Sequence, residues 1–388
     1  MAAIPVVATG IGLVSALGTT LASNWQRLLK GETGIALHQP FAELPPYPLA
    51  LVGDRPTDLA TLTAQVVQAA LVDAQLAPPL ADCGIVIGSS RGCQAEWEQW
   101  ARQWHQQGIP PDHNWLDRLP HAAAMTAARE VGTRGPVLAP MAACATGLWA
   151  VAQGYELLQT GVCERVLVGG VEAAVTRLSI SGFAQMGVLA RQGAYPFDRQ
   201  RQGLVLGEGG AVIVLETAEL AQRRGAALYG QVLGFGLAAD AEHTNAPSQT
   251  QAGAIAALKQ CLHHSGLTAD QVDYIHAHGT ATRLNDQFEA TLIQNWFPPQ
   301  VAISSTKGAT GHTLGAAGAM GLAFCLLALK HQVLFPTVGL QQPDFALNLI
   351  QQPQLAHLQA LLCFSFGFGG QNAIAAVGNP ARIGSFQA

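Results

Sequence analysis

Pro136-Val137-Leu138-Ala139-Pro140-Met141-Ala142-Ala143-Cys144-Ala145-Thr146-Gly147-Leu148-Trp149-Ala150-Val151-Ala152 is the stretch from which the fold is read. The apolar run up to Ala143 reads as a buried strand, and the Ala/Gly-rich run after Cys144 as a buried helix. A second segment repeats the arrangement. Ser304–Thr313 leads into Leu314–Leu329, another Gly/Ala-rich run with no polar face. A helix that is apolar all round must be enclosed on all sides. Two of them fit most simply into a central layer between two sheets. Cys144 stands where the strand gives way to the helix, near the positive end of the helix dipole. That position favours thiolate, the nucleophilic form.

Outward from this unit, strands alternate with helices. On the N-terminal side come a strand (Val6–Leu13), helices (Ser23–Leu29 and Leu59–Leu76) and strands at Gly84–Gly88, Arg165–Gly169 and Ala211–Glu216. On the C-terminal side come strands Gly230–Phe235, Val272–His276 and Val301–Ser304, with helices Gln251–Ser265 and Asp286–Trp296 among them. The strands Leu361–Phe366 and Ala373–Val377 close the chain. Such alternation predicts an α/β protein with buried sheets. The polar segment Leu220–Ala226, with Gly225 where a helix would stop, is the seam. It divides the chain into residues 1–224, which carry Cys144, and 225–388. The two Gly/Ala-rich helices occupy equivalent places in these parts, which predicts a pseudo-duplicated, layered fold.

Of the 388 residues, 49% are hydrophobic and 12% charged, which excludes a disordered chain and supplies a large core. The net charge is −5, and no basic stripe with interleaved aromatics is present, so no nucleic-acid partner is expected. The seven cysteines (83, 93, 144, 163, 261, 325 and 363) are scattered without CxxC spacing. That argues against a metal site or a disulfide framework and for a reducing, cytoplasmic setting. Met1–Val7 has no positive region and reads as part of the first strand, not as a signal peptide. Leu314–Leu329 is shorter than the roughly 18–20 residues of a membrane span and reads as a core helix.

Three further stretches carry chemistry. His278 follows a strand, beside Gly279, Thr280 and Thr282, and Asp286 with Glu289 has capping-box spacing for the next helix. Lys307 and His312 precede the second buried helix. Phe366-Gly367-Phe368-Gly369-Gly370 ends a strand in a glycine turn. Taken singly, each has a plain structural reading: a core histidine, a solvated lysine, a hairpin turn, a helix cap. Taken together, a nucleophile, two histidines, a lysine and a flexible turn all fall at the ends of buried elements, where α/β sites are found.

These stretches resemble the β-ketoacyl-acyl-carrier-protein synthases, the elongating condensing enzymes of the thiolase superfamily. The resemblance rests on Ala143-Cys144-Ala145-Thr146-Gly147, Ala277-His278-Gly279-Thr280-Ala281-Thr282, and Thr306-Lys307 through Thr310-Gly311-His312 into Leu314-Gly315-Ala316-Ala317-Gly318. Phe366–Gly370, Val7–Gly12 with Gly31–Ile35, and Phe197-Asp198 with Gly207-Glu208-Gly209 fit as well. The match covers nearly the whole chain. It implies a thiolase-like α-β-α-β-α fold and a two-step reaction. Cys144 would take an acyl group from the phosphopantetheine of acyl carrier protein. His278 and His312 would then stabilise the enolate left when malonyl carrier protein loses carbon dioxide. Lys307 would keep both imidazoles neutral, and Asp286 or Glu289 would hold Lys307. The N–H groups of Cys144 and Phe368 would form the oxyanion hole. Thr280 and Thr282 would bind the pantetheine arm, and Phe183 would line the acyl pocket. Phe366, Gly367 and Gly369 belong to the substrate-facing turn in which Phe368 would act as a gate.

No cofactor or metal is implied beyond the carrier's phosphopantetheine. The family is normally homodimeric, and a heterodimer with a related subunit stays open. Arg199, Arg201, Arg223 and Arg224 are candidates for a patch that docks the carrier. Departures from the family pattern are Gly321 for Glu, Gln371 for Thr, Gln202 for Asp and Arg283 for Pro. The function expected is fatty acid elongation. The alternatives are a specialised polyketide, polyene or unusual-lipid ketosynthase and, against the presence of Cys144, a non-catalytic chain-length partner.

Overall fold

The computed structural model describes residues 4–110 and 112–380. Met1–Ala3, read above with the first strand, lie outside the described residues, as do the last eight residues of the C-terminal part. Among the described residues, eleven strands form one sheet. From edge to edge they are Asn348–Leu349, Ala302–Ser304, Tyr274–His276, Ala360–Gly367, Gln371–Gly378, Gly230–Ala239, Val6–Val14, Gly209–Thr217, Arg165–Glu172, Gly84–Gly88 and Val137–Leu138.

The sheet reads the same way outward from its middle, where Val6–Ala8 pairs with Gly230–Val232. On each side an opening strand pairs antiparallel with the closing strand of its half: Val6–Val14 with Gly209–Thr217, and Gly230–Ala239 with Gln371–Gly378. Each closing strand pairs antiparallel with the next, Arg165–Glu172 or Ala360–Gly367. Parallel pairings follow, two on the N-terminal side and three on the C-terminal side. The duplication expected from the sequence is therefore present as matching strand order and sense.

Helix Leu59–Asp73 covers Val6–Val14, and Ala252–Ser265 covers Gly230–Ala239, as the outer layers. Both press onto a glycine of the opening strand. A Cβ on Gly12 would lie 1.9 Å from the Val66 carbonyl oxygen, and one on Gly236 would lie 1.6 Å from that of Ala257. Between the two halves lie helices Thr146–Gln159 and Ala317–His331. The second packs on Ala360–Gly367 of its own half and on Gly209–Thr217 of the other, and its residues from Ala317 to Leu329 are all buried. The helices touch where a Cβ on Gly147 would lie 2.6 Å from the Ala319 nitrogen. The result is the α-β-α-β-α layering, but the two β layers expected as separate sheets are the two halves of one continuous sheet. The segment Leu314–His331 is apolar enough to cross a membrane, but 89% of it is buried inside the protein, the environment of a core helix.

Two expectations are corrected. Pro136–Ala143 is not a buried strand: only Val137–Leu138 pairs, at the sheet edge, and Leu138 and Met141 are 39% and 68% exposed. Pro140 lacks an N–H to continue the ladder, and the chain then turns through Ala143 at φ 47°. Asp286 and Glu289 do not cap helix Arg283–Trp296. Thr282 does, its side chain accepting from the Asn285 N–H. Both carboxylates turn inward and are wholly buried.

Candidate active site

Cys144, the candidate nucleophile, sits in the tight turn between Ala143 and helix Thr146–Gln159. Thr146 Oγ1 accepts from the Ala142 N–H (2.8 Å) and donates to the Ala143 carbonyl (2.6 Å), closing the turn on itself. From the opposite half, Ser365 Oγ donates to the Cys144 carbonyl at 3.0 Å. Cys144 is 7% exposed at a cavity of about 510 Å³ that His278, His312, Thr280, Thr282, Phe183, Phe366, Gly367 and Phe368 also line. The thiolate expected from the helix dipole is not the resting form. Burial pushes the Cys144 thiol up to about 11, against the charges of Lys307 and Arg91 and a hydrogen bond from the Phe368 N–H. Nucleophilic attack therefore requires a base, and two imidazoles face the same cavity.

Both imidazoles are held neutral. Their pKa values lie well below the usual histidine range because they are buried and because Lys307 stands beside them. The rings meet edge to face, with centroids 5.3 Å apart. Lys307, 3% exposed, donates from Nζ to the His278 carbonyl and lies 3.5 Å from His278 Nδ1. An ammonium can only donate, so Nδ1 accepts and the ring proton resides on Nε2. His312 donates its backbone N–H to the Val205 carbonyl (2.7 Å). Its Nδ1 is buried with no partner among the described residues. Two neutral imidazoles beside one thiol form a donor set suited to a developing enolate oxygen.

Asp286 and Glu289 fasten the histidine loop and make no ion pair with Lys307. Glu289 accepts from the N–H groups of His278 (2.5 Å) and Gly279 (2.7 Å). Asp286 accepts from Phe197 (2.8 Å) and Ala281 (3.2 Å), with Arg201 3.9 Å away. Burial raises both carboxyls, to about 6 for Asp286 and about 7 for Glu289. Glu289 nonetheless favours the Lys307 cation through space, against the burial that lowers that pKa. Thr280 and Thr282 hydrogen-bond each other at 2.9 Å on the cavity wall. The Phe183 and Phe368 rings lie 6.2 Å apart. Gly369 is not on the wall: it is exposed, and its N–H donates to the Thr244 carbonyl (2.8 Å).

The arginine patch is corrected as well. Arg201 is 7% exposed and bound to Asp344, Arg224 is clasped by Glu216, and Arg223 pairs with Glu164. Arg199 alone of the four is largely free, 4.0 Å from Asp344.

The sequence reading passed over Glu172. It ends strand Arg165–Glu172 with no exposure and accepts from Ser89 Oγ, Ser90, Arg91 N–H and Gly315 N–H. An acid closing the apolar run Val166–Val171 was the available signal. Asp240 and Asn372, hydrogen-bonded at 2.8 Å on the cavity wall, left none.

Comparison with known proteins bears on this arrangement. Residues 54–221 match the model of the beta-ketoacyl synthase N-terminal domain, and residues 229–341 that of the C-terminal domain. A mitochondrial 3-oxoacyl-(acyl-carrier-protein) synthase of Arabidopsis thaliana is 32% identical, over 95% of this chain and 92% of its own. A 3-oxoacyl-(acyl-carrier-protein) synthase 2 of Coxiella burnetii is also 32% identical, over 95% and 96%. Among solved structures, the ishigamide ketosynthase/chain length factor superposes with a TM-score of 0.91 at 27% identity, covering 97% of this chain and 100% of that one. A beta-ketoacyl synthase from Burkholderia phymatum gives 0.90 at 26%, covering 97% and 99%. With matching models in both halves and relatives above 30% identity over nearly its full length, the chain belongs to the β-ketoacyl synthase family.

Proposed function

We propose that this protein catalyses decarboxylative Claisen condensation between an acyl group on Cys144 and malonyl-acyl carrier protein, giving a 3-oxoacyl-carrier thioester in fatty acid elongation. The observation that carries the reading is one cavity holding Cys144, His278 and His312, with buried Lys307 against His278. In the first half-reaction the Cys144 thiol gives up its proton to a base and attacks the carrier thioester, whose pantetheine sulfur leaves. In the second, the malonyl carboxylate leaves as carbon dioxide and its bonding pair stays behind as an enolate. Nε2–H of His278 and an N–H of His312 would stabilise the enolate oxygen, and neutral rings would not quench the carbanion. The carbanion attacks the Cys144 thioester, expelling the thiolate. The Phe368 N–H, which works to lower the Cys144 thiol pKa, would serve the oxyanion with the Cys144 N–H.

The partner proposed is acyl carrier protein, whose phosphopantetheine arm would pass Thr280 and Thr282. No separate cofactor enters the reaction, and a cytoplasmic setting is proposed. A homodimer is the assembly proposed, supported by the apolar edge at Leu138 and Met141. A specialised polyketide or polyene role, in a heterodimer, is the second reading. It is favoured by the likeness to two ketosynthases whose solved structures include a chain length factor, the ishigamide enzyme and one from Xenorhabdus doucetiae (26% identity, TM-score 0.84).

Radiolabelled malonyl carrier protein offered with acyl primers of graded length tests these readings, with the Cys144→Gln variant as background. Elongation of saturated primers by the chain alone supports the first. Activity only with a co-expressed partner supports the second. No condensation with any primer would exclude both.

A further inference from the structure

Beneath the catalytic loops lies a second imidazole beside a second thiol. His276 ends strand Tyr274–His276, is 1% exposed, and stands opposite Cys363 in the parallel pairing with Ala360–Gly367. Its Nδ1 is 3.9 Å from Cys363 Sγ, and its Nε2 is 3.2 Å from Thr306 Oγ1. The ring rests on Phe335, with centroids 5.9 Å apart. Cys363, with no exposure, also approaches the Gly318 carbonyl (3.7 Å) and the Cys325 thiol. Gly321 closes the site from the central helix: a Cβ there would lie 2.7 and 2.8 Å from ring atoms of His276 and 3.0 Å from Cys363 Sγ. A glycine at this point of an otherwise packed helix makes room for the imidazole. Burying such polar groups costs stability unless they are paired, and here they are paired with each other and with Thr306.

The three strands that meet here end in the catalytic groups. His276 lies two residues before His278, and Thr306 one before Lys307. Cys363 lies two before Ser365, which holds the Cys144 carbonyl. We propose that His276 and Cys363 are positioning residues for the condensation: a buried imidazole–thiol pair that braces the Thr306–Lys307 turn and thereby sets where the Lys307 ammonium stands against His278. The imidazole suits the task because one nitrogen donates while the other accepts, so Thr306 and Cys363 are tied through a single ring.

The pair also acts on charge. Burial raises the Cys363 thiol, but Cys325, His276 and the Lys307 charge outweigh it and bring the pKa to about 6. The resulting anion favours the Lys307 cation against its burial. Glu289 contributes more to the same end, and Asp286 less. The other titratable groups facing Lys307 are the imidazoles of His278 and His312.

The inference rests on the condensation proposed above and is tested on the full chain. Two readouts are kept apart: carbon dioxide release from malonyl carrier protein, and acyl transfer to Cys144 followed by mass spectrometry. His276→Gln keeps a nitrogen toward Thr306, whereas His276→Asn keeps one toward Cys363 and loses Thr306. Decarboxylation is expected to fall roughly tenfold or more in His276→Asn, to recover largely in His276→Gln, and acyl transfer to stay within about threefold in both. Cys363→Ser removes the anion with little change of shape. The alkaline limb of the decarboxylation–pH profile should then move to lower pH, because Lys307 loses its proton more readily. Equal loss of both half-reactions, equal effects of Asn and Gln, or an unmoved limb in a folded Cys363→Ser would each overturn the inference. If the histidine variants fail to fold, the Cys363→Ser limb decides. No carbon dioxide from the wild type overturns the functional reading and this inference with it. Wild-type release with unchanged variants overturns this inference alone.

Discussion

Lys307 Nζ donates to the carbonyl of His278 and at the same time lies 3.5 Å from Nδ1 of that residue's ring. One ammonium thus fixes a loop, a tautomer and a charge state. Its field acts on the imidazoles of both His278 and His312, second only to burial as the cause of their low pKa values.

Lys307→Met should therefore change the pH profile and not only the rate. With the cation gone, the pKa values of His278 and His312 rise toward the ordinary histidine range, although burial still holds them below it. Imidazolium is the inactive form, so the acid limb of decarboxylation should move to higher pH. The maximal rate should drop about 10²-fold as the tautomer is released. The check is carbon dioxide release from malonyl carrier protein between pH 5 and 9. A lower rate with an unmoved limb would refute the electrostatic role.

Cys144 supplies a prediction opposite in sense to the sequence reading. A thiol pushed up to about 11 is about 10⁻⁴ thiolate at pH 7. Alkylation of the Cys144 peptide by iodoacetamide should accelerate about tenfold per pH unit from pH 7 to 9, without a plateau. Lys307→Met should slow it further, since the lysine charge lowers this pKa. A plateau near neutrality would mean that the helix terminus outweighs burial.

The contrast locates what sequence alone could carry. The two central helices were legible because Ala317–Leu329 has no polar face and Thr146–Ala152 none either, and such segments have one place to go. The candidate catalytic residues could be picked out because Cys144, His278, Lys307 and His312 each fall at or beside the end of a buried element. The balance between burial and dipole at Cys144 was not legible, since it depends on how completely the opposite half closes over the turn. Nor were the partners of Asp286 and Glu289. Their spacing fits a helix cap, and only the fold brings the N–H groups of Phe197, His278 and Gly279 to them. The small sheet of Ala36–His38, Tyr47–Ala50 and Leu206–Gly207 escaped because strands of two to four residues carry no periodicity.

Gly147 tests the layering. It lies where the central helices touch, and an added Cβ would meet the Ala319 nitrogen at 2.6 Å, the Ala319 Cβ at 3.0 Å and the Gly315 oxygen at 3.1 Å. Two of these are backbone atoms, so relief requires the helices to separate. Gly147→Ala should cost about 1–3 kcal/mol and lower the urea midpoint, despite the higher helix propensity of alanine. An unchanged or raised midpoint would show that the helices do not approach this closely.

The last prediction concerns which acyl chains enter. Phe183 and Phe368 form the apolar side of the cavity, with ring centroids 6.2 Å apart. The imidazoles make other contacts: His278 packs against His312 and Phe366. The turn that carries Phe368 is asymmetric. A Cβ on Gly367 would meet the Ala142 carbonyl at 2.8 Å, so that side is clamped against the nucleophile turn. At Gly369, at φ 76°, an added Cβ would meet nothing within 4 Å, so beyond its one hydrogen bond to Thr244 this side has room to turn as the Phe368 ring leaves Phe183. Enlarging Phe183 therefore narrows the acyl side without touching the histidines. Each excluded methylene is worth roughly 1–3 kcal/mol. Phe183→Trp should lower kcat/KM for long primers at least tenfold relative to short ones, while carbon dioxide release from malonyl carrier protein changes less than about twofold. Equal loss for every primer length would mean that Phe183 supports the fold of the wall and does not measure the chain.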